Sequence, residues 1–212
     1  MSALSGSSIW SRLIDGNLVV SPLLDKSQVT SSAIDLRMGT VALMSRAGSH
    51  SHIDPKDYID DGSNPHDQML LRHQKHERFD LPFWQCFLLH PGALVLVPTL
   101  EWINLPANLQ GVVTARSSWA RQGLSIATAT IINPGYSGIV TLELANLGEI
   151  PIALYPGIRL CQLALYELIS TDTVADEKRL QSQFQMSFEP HDGSLGKGDE
   201  AFLKPKNPNS AP

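Results

Sequence analysis

The sequence predicts an all-β protein with minor helices, a sandwich or a barrel, and three observations carry that prediction. From Pro82 to Leu168 the chain is a succession of short apolar runs, FWQCFLL, ALVLVPTLEWI, QGVVTAR, LSIATATII, IVTLELAN and IRLCQLALYEL. Turn signals such as HPG, NLPANL, NPGYSG and LGEI fall between them, spaced about eight to twelve residues apart as in packed β folds. IVTLELAN alternates with period two, which puts Val140, Leu142 and Leu144 on one face and Thr141, Glu143 and Ala145 on the other.

The elements follow in chain order. SSIWSRLIDG reads as a short helix, with Ser7 or Ser8 as its cap and Gly16 as its end. NLVVSPLL is a strand closed by Pro22, and SSAIDLRMGTVALMS is a strand region broken at Gly39. Residues 46–80 are polar and rich in turn formers, so they are expected to form a long excursion on the surface, with room for a short hairpin. SSWARQGL is the helical turn of the second half, capped by Ser117 or Ser118 and ended by Gly123, with amides at its start open to an anion. Beyond Ser170 the strand pattern stops. The expected organisation is a domain over 1–170 and an arm with a disordered tail over 171–212.

Composition limits the function. The 212 residues carry 42% hydrophobic and 17% charged residues, ordinary for a soluble globular protein with its own core. A net charge of -5 argues against a broad nucleic-acid face, while a small anionic ligand needs only a few local arginines. The opening MSALSGSSIW lacks a basic region followed by an apolar run, so neither a signal peptide nor a membrane span is expected. Cys86 and Cys161 both lie in apolar runs and read as buried reduced thiols, which fits a cytoplasmic protein.

Two features carry chemistry. Arg116-Ser117-Ser118 with Arg121 can hold phosphate oxygens through forked guanidinium donors and hydroxyls, although spacing alone equally describes a helix cap between surface arginines. Glu143 can act as a general base, although a carboxylate on the outer face of a sheet is the plainer reading without context. The pairs His50/His52 and His73/His76 lack partners for a metal site. The zinc-deaminase signature and the phosphate-binding glycine loops are also missing from the sequence.

Four blocks, in order, resemble the dCTP deaminase family of the dUTPase-like superfamily. They are LIDGNLVVSP with SSAIDLRMG, then HPGALVLVPTLEWINLPANLQGVVTARSSWARQGL, PGYSGIVTLELAN and PIALYPGIRLCQL. The resemblance implies a distorted jelly-roll β-barrel, a homotrimer with sites between subunits, and a deoxynucleotide substrate. Arg116, Ser117 and Ser118 would meet the triphosphate, with Mg2+ bound through the nucleotide and no zinc. Ser117 and Arg121 would approach the base, and Glu143 would be the general acid and base. Ala129 would face the pyrimidine and Tyr136 the sugar, with Lys178 and Gln183 reaching the phosphates from the arm.

Departures from the family pattern sharpen the expectation. Asn133 stands where the superfamily usually has an aspartate that serves the hydrolytic water at the α-phosphate. An amide cannot accept that proton, so deamination is favoured over diphosphate release. Ile131 lies near the base where a polar or aromatic residue is common, Ala115 replaces a glycine, and the arm lacks a tyrosine. The leading expectation is deamination of dCTP to dUTP and ammonia. The alternatives are a dUTP diphosphatase, a bifunctional enzyme, or a diverged trimer that only binds nucleotide.

Overall fold

A computed structural model describes residues 2–45, 52–55, 76–126, 129–169, 185–190, 193, 195 and 203. The chain divides into two compact units, Met1–Met44 with Arg78–His191, and Ser45–Glu77 with Asp192–Pro212. In the second unit, Ser45 Oγ lies 3.3 Å from His76 Nε2. Among the described residues no helix is long and apolar enough to cross a membrane.

The first unit holds two antiparallel sheets, apart from Ser45, His76 and Glu77 at strand ends, which belong to the second. One contains β1 (Ser2–Ala3), β3 (Ala33–Arg37), β8 (Leu109–Ala115), β10 (Ile131–Ile132) and β13 (Arg159–Glu167). β13 is its centre, with β8 on one edge and β3 followed by β1 on the other. The second sheet runs in the order β5 (His76–Asp80), β4 (Val41–Ser45), β7 (Leu94–Asn104), β11 (Ser137–Asn146), β9 (Leu124–Ile126), with β2 (Val19–Ser21) also on β7. β6 (Phe87–Leu89) and β12 (Ile152–Leu154) form a separate pair. Ile34, Leu36, Val113 and Leu163 from the first sheet meet Val95, Val97, Leu142 and Leu144 from the second in one core. This is the mostly β architecture expected, and the alternation in β11 is the one read from the sequence.

Several local expectations need correction. Helix α1 (Gly6–Ile14) is capped by Ser5, whose Oγ accepts from Ser8 N, rather than by Ser7 or Ser8. Three serines within four residues, Ser5, Ser7 and Ser8, hid the cap, because each carries the same hydroxyl. The 46–80 excursion ends sooner than expected, since 76–80 is the edge strand β5. Cys161 is buried, but Cys86 is exposed just ahead of β6. Its apolar neighbours Phe83, Trp84 and Leu88 are at least half exposed as well, so an apolar run did not mean burial there.

A buried carboxylate joins the two sheets. Glu101 of β7 is fully buried and accepts from Gln28 Nε2 at 2.9 Å and from the amide of Arg37 at 2.8 Å. Burial raises its pKa above the ordinary 4.5, and these hydrogen bonds only partly oppose the shift. A carboxyl raised in the folded state contributes stability that is complete below 4.5 and is lost as pH rises through the raised value. Thermal unfolding at a series of pH values is therefore expected to show wild type losing stability relative to Glu101→Gln above pH 4.5. The altered hydrogen bonding of the amide adds a constant offset, so parallel pH profiles would contradict the assignment.

Candidate functional site

The arginine–serine motif forms one helical turn, α2 (Ser117–Ala120). Its N-cap is Arg116, with no side-chain cap bond, so neither Ser117 nor Ser118 has the capping role read from the sequence. Both serines are exposed, and so is Arg121. The Arg121 amide donates to Ser117 O at 3.1 Å, which sets those two residues one turn apart on the same side. The turn is docked onto the start of β13. Arg116 N donates to Leu160 O at 3.3 Å and Trp119 Nε1 donates to Arg159 O at 2.9 Å. Trp119 therefore anchors the turn while the hydroxyls stay on the surface.

Gly123 ends the turn at φ 87, and a Cβ there would lie 2.8 Å from Gly148 N. The chain then enters β9, whose Leu124 and Ile126 pair with Asn146 and Leu144 of β11. The arginine–serine turn thus leads directly into β9, which pairs with β11 from Leu144 onward, next to Glu143. Glu143 is half-buried on the face of β11 opposite the buried Leu142 and Leu144, and pairs across β7 with Leu96. The far end of β11 is fixed by the buried Asn146, whose Nδ2 donates to Leu89 O at 2.9 Å and Ile150 O at 2.8 Å. Ala129 is exposed in the loop between β9 and β10.

The NPGYSG turn stands at the other end of β8. Ile132 pairs with Gly111, whereas Arg116 follows the last residue of that strand. Gly111 and Arg116 are about 17 Å apart along an extended chain at 3.4 Å per residue. Asn133 is exposed, and its carbonyl accepts from Tyr136 N at 3.2 Å. The Tyr136 hydroxyl donates to Ile139 O, and burial raises the phenol pKa to about 12. Tyr136 therefore has a ring to offer a ligand, while its hydroxyl is committed to the backbone. One chain does not place Asn133 and Tyr136 beside Arg116.

Two sets of contacts were missed by sequence reasoning. Gln185 Nε2 donates to Gly135 O at 3.1 Å, Met186 N to Ser137 O at 2.7 Å, and Ile139 N to Ser187 O at 3.0 Å. Gly138 permits this approach, because a Cβ there would lie 3.3 Å from the Ser187 backbone and 3.0 Å from the Tyr136 hydroxyl. Arg78 clasps the same segment through Glu189 at 2.7 Å. The second set is centred on Asp35, which is buried and faces Arg116, Arg159 and Gln162. An acid inside the apolar run AIDL was the available signal. Lys178 and Gln183 lie outside the described residues, as do His50 and His73, one member of each histidine pair.

A family described as dCTP deaminase-like matches residues 3–168, which takes in both sheets, the arginine–serine turn and Glu143. The chain belongs to this family. Its relatives include a protein of Methanobrevibacter smithii named "dCTP deaminase, dUMP-forming", 34% identical over 172 residues, with 81% of this chain and 82% of the relative covered. A protein of the same name from Dictyoglomus turgidum is 36% identical over 184 residues, covering 85% of this chain and 88% of the relative. Among solved structures, the 2′-deoxycytidine 5′-triphosphate deaminase from Agrobacterium tumefaciens shares the fold with a TM-score of 0.59 at 24% identity. That match covers 78% of this chain and 48% of the other, so the chain spans about half the length of that protein.

Proposed function

We propose that the protein hydrolyses dCTP to dUTP and ammonia, with Glu143 as its acid–base group. The observation that carries this reading is the path from α2 through Gly123 into β9, which sets an anion-binding turn in sequence with the strand beside Glu143. Arg116, Ser117 and Ser118 offer cationic and neutral donors, a set that suits phosphate oxygens rather than a bare cation. Mg2+ accordingly enters with the triphosphate as part of the substrate. Ser117 and Arg121 orient the base, and Ala129 leaves room for the pyrimidine.

In the reaction, Glu143 accepts a proton from a water molecule, whose oxygen attacks C4 of the cytosine. Arg121 and the Ser117 hydroxyl stabilise the charge that develops on the ring. The carboxyl then returns the proton to the departing amino group, the C4–N bond breaks, and ammonia leaves. The balance is one dCTP and one water in, one dUTP and one ammonia out. The ring of Tyr136 packs against the sugar. Its separation from Arg116 along β8 favours a site completed by a second copy of the chain, consistent with a homotrimer. Lys178 and Gln183 are assigned to the phosphates, and the protein to the cytoplasm.

Release of ammonia from dCTP in the presence of Mg2+ tests the proposal, and wild-type protein that yields none ends it. The relatives' name favours a second reading, in which the triphosphate is also cleaved and dUMP is released. Asn133 is the residue that speaks against that extra step.

A further inference from the structure

Asp35 is an acid held in an unusual place. Its side chain is 2% exposed, in the strand β3 between Ile34 and Leu36, both of which point into the core. Oδ1 accepts from Gln162 Nε2 at 3.0 Å. Oδ2 faces two guanidinium groups, Arg159 Nη1 at 3.3 Å and Arg116 Nη1 at 3.5 Å. One buried negative charge is thus shared between two arginines, and one of these is the arginine assigned to the triphosphate.

The two arginines are not held alike. Arg159 is fixed on its other side by Asp25 at 2.8 Å and by the Ser27 hydroxyl at 2.6 Å, with the Ser27 carbonyl at 3.4 Å. Arg116 has the longer contact with Asp35, and its side chain is one third exposed. Asp25 is the counter-charge on the solvent side, half exposed and screened by water, so it withdraws little of the Arg159 charge from Asp35. Arg159 is the nearer cation and is hydrogen-bonded to the buried carboxylate, whereas Arg116 meets it as an ion pair at the longer distance.

We propose that Arg159 is a positioning residue for the triphosphate arginine, neutralising the buried Asp35 so that the charge of Arg116 remains available to the nucleotide phosphates. This rests on the reading of Arg116 as a phosphate ligand. Without Arg159, a buried carboxylate left with one cation draws that cation in, because an unpaired buried charge is strongly unfavourable. Arg116 would then be spent on Asp35 rather than on the ligand. Removing Asp35 together with Arg159 releases Arg116 again, a compensation that a direct phosphate contact by Arg159 would not produce.

The test uses four full-length proteins in a Glu143→Gln background, so that dCTP is bound and not consumed. They are the parent, Arg116→Ala, Arg159→Gln, and the double variant Asp35→Asn/Arg159→Gln. Calorimetry gives the affinity of each for dCTP with Mg2+ and for deoxycytidine monophosphate. Arg159→Gln is expected to weaken dCTP roughly tenfold or more while affecting the monophosphate much less, the scale of one charge-assisted contact. The double variant should recover most of the dCTP affinity. Unchanged dCTP binding by Arg116→Ala overturns the phosphate reading itself. Weak binding by Arg116→Ala, with Arg159→Gln either equal to the parent or equally weak for both nucleotides, overturns the positioning role alone. If Arg159→Gln does not fold, the double variant decides: affinity near the parent supports the role, and affinity as poor as Arg116→Ala overturns it.

Discussion

Replacing Glu143 by glutamine is expected to lower kcat for dCTP deamination about 10²–10⁴-fold, the range associated with a positioned acid–base group. The amide matches the carboxylate in shape but cannot take a proton from water. Glu143 lies on the face of β11 away from Leu142 and Leu144, so the substitution removes no core packing. The phosphate contacts proposed for the arginine–serine turn are untouched, and KM is expected to change far less than kcat. Steady-state kinetics with a melting curve as the folding control measure both quantities. Undiminished turnover in the folded variant would remove Glu143 from the mechanism.

The second large effect is a gain. Asn133→Asp is expected to raise diphosphate release from dUTP by about 10²-fold, the low end of what a positioned proton acceptor contributes. Asn133 is exposed in the NPGYSG turn, and its carbonyl bond to Tyr136 N is a backbone feature that the substitution leaves alone. Aspartate differs from asparagine there mainly in its charge and in its ability to accept a proton. Diphosphate measured with dUTP as substrate checks this, and a variant no faster than wild type would show that the side chain at 133 does not limit phosphate cleavage.

Much of the fold was legible because it follows from period-two alternation and turn chemistry, which are local. Leu142, Glu143 and Leu144 took the faces that their spacing dictated, and Gly39 separated β3 from β4 as read. The arginine–serine turn was found in place, ended by Gly123. Helix caps were less legible, because Ser5, Ser7 and Ser8 offer the same chemistry and only the backbone at Ser5 selects one of them. Of the charge cluster at Asp35 only the acid itself was legible, as a carboxylate inside the apolar run AIDL, and its partners were not. The cluster forms because β13 pairs with both β3 and β8, which brings positions 35, 116, 159 and 162 together from distant parts of the chain. The docking of Gln185 on Gly135 likewise depends on a contact between residues fifty apart in sequence. Cys86 shows the opposite failure, an apolar neighbourhood in sequence that is solvent-facing in the fold.

In the proposed reaction this chain deaminates dCTP and leaves the triphosphate whole. Chromatography of the nucleotide products formed from dCTP and Mg2+ by the wild-type protein, with ammonia and diphosphate measured in the same reaction, tests it most directly. The expected result is dUTP and ammonia in equal amounts, with no diphosphate. Accumulation of dUMP with an equivalent of diphosphate would contradict it and place phosphate cleavage at this site despite Asn133.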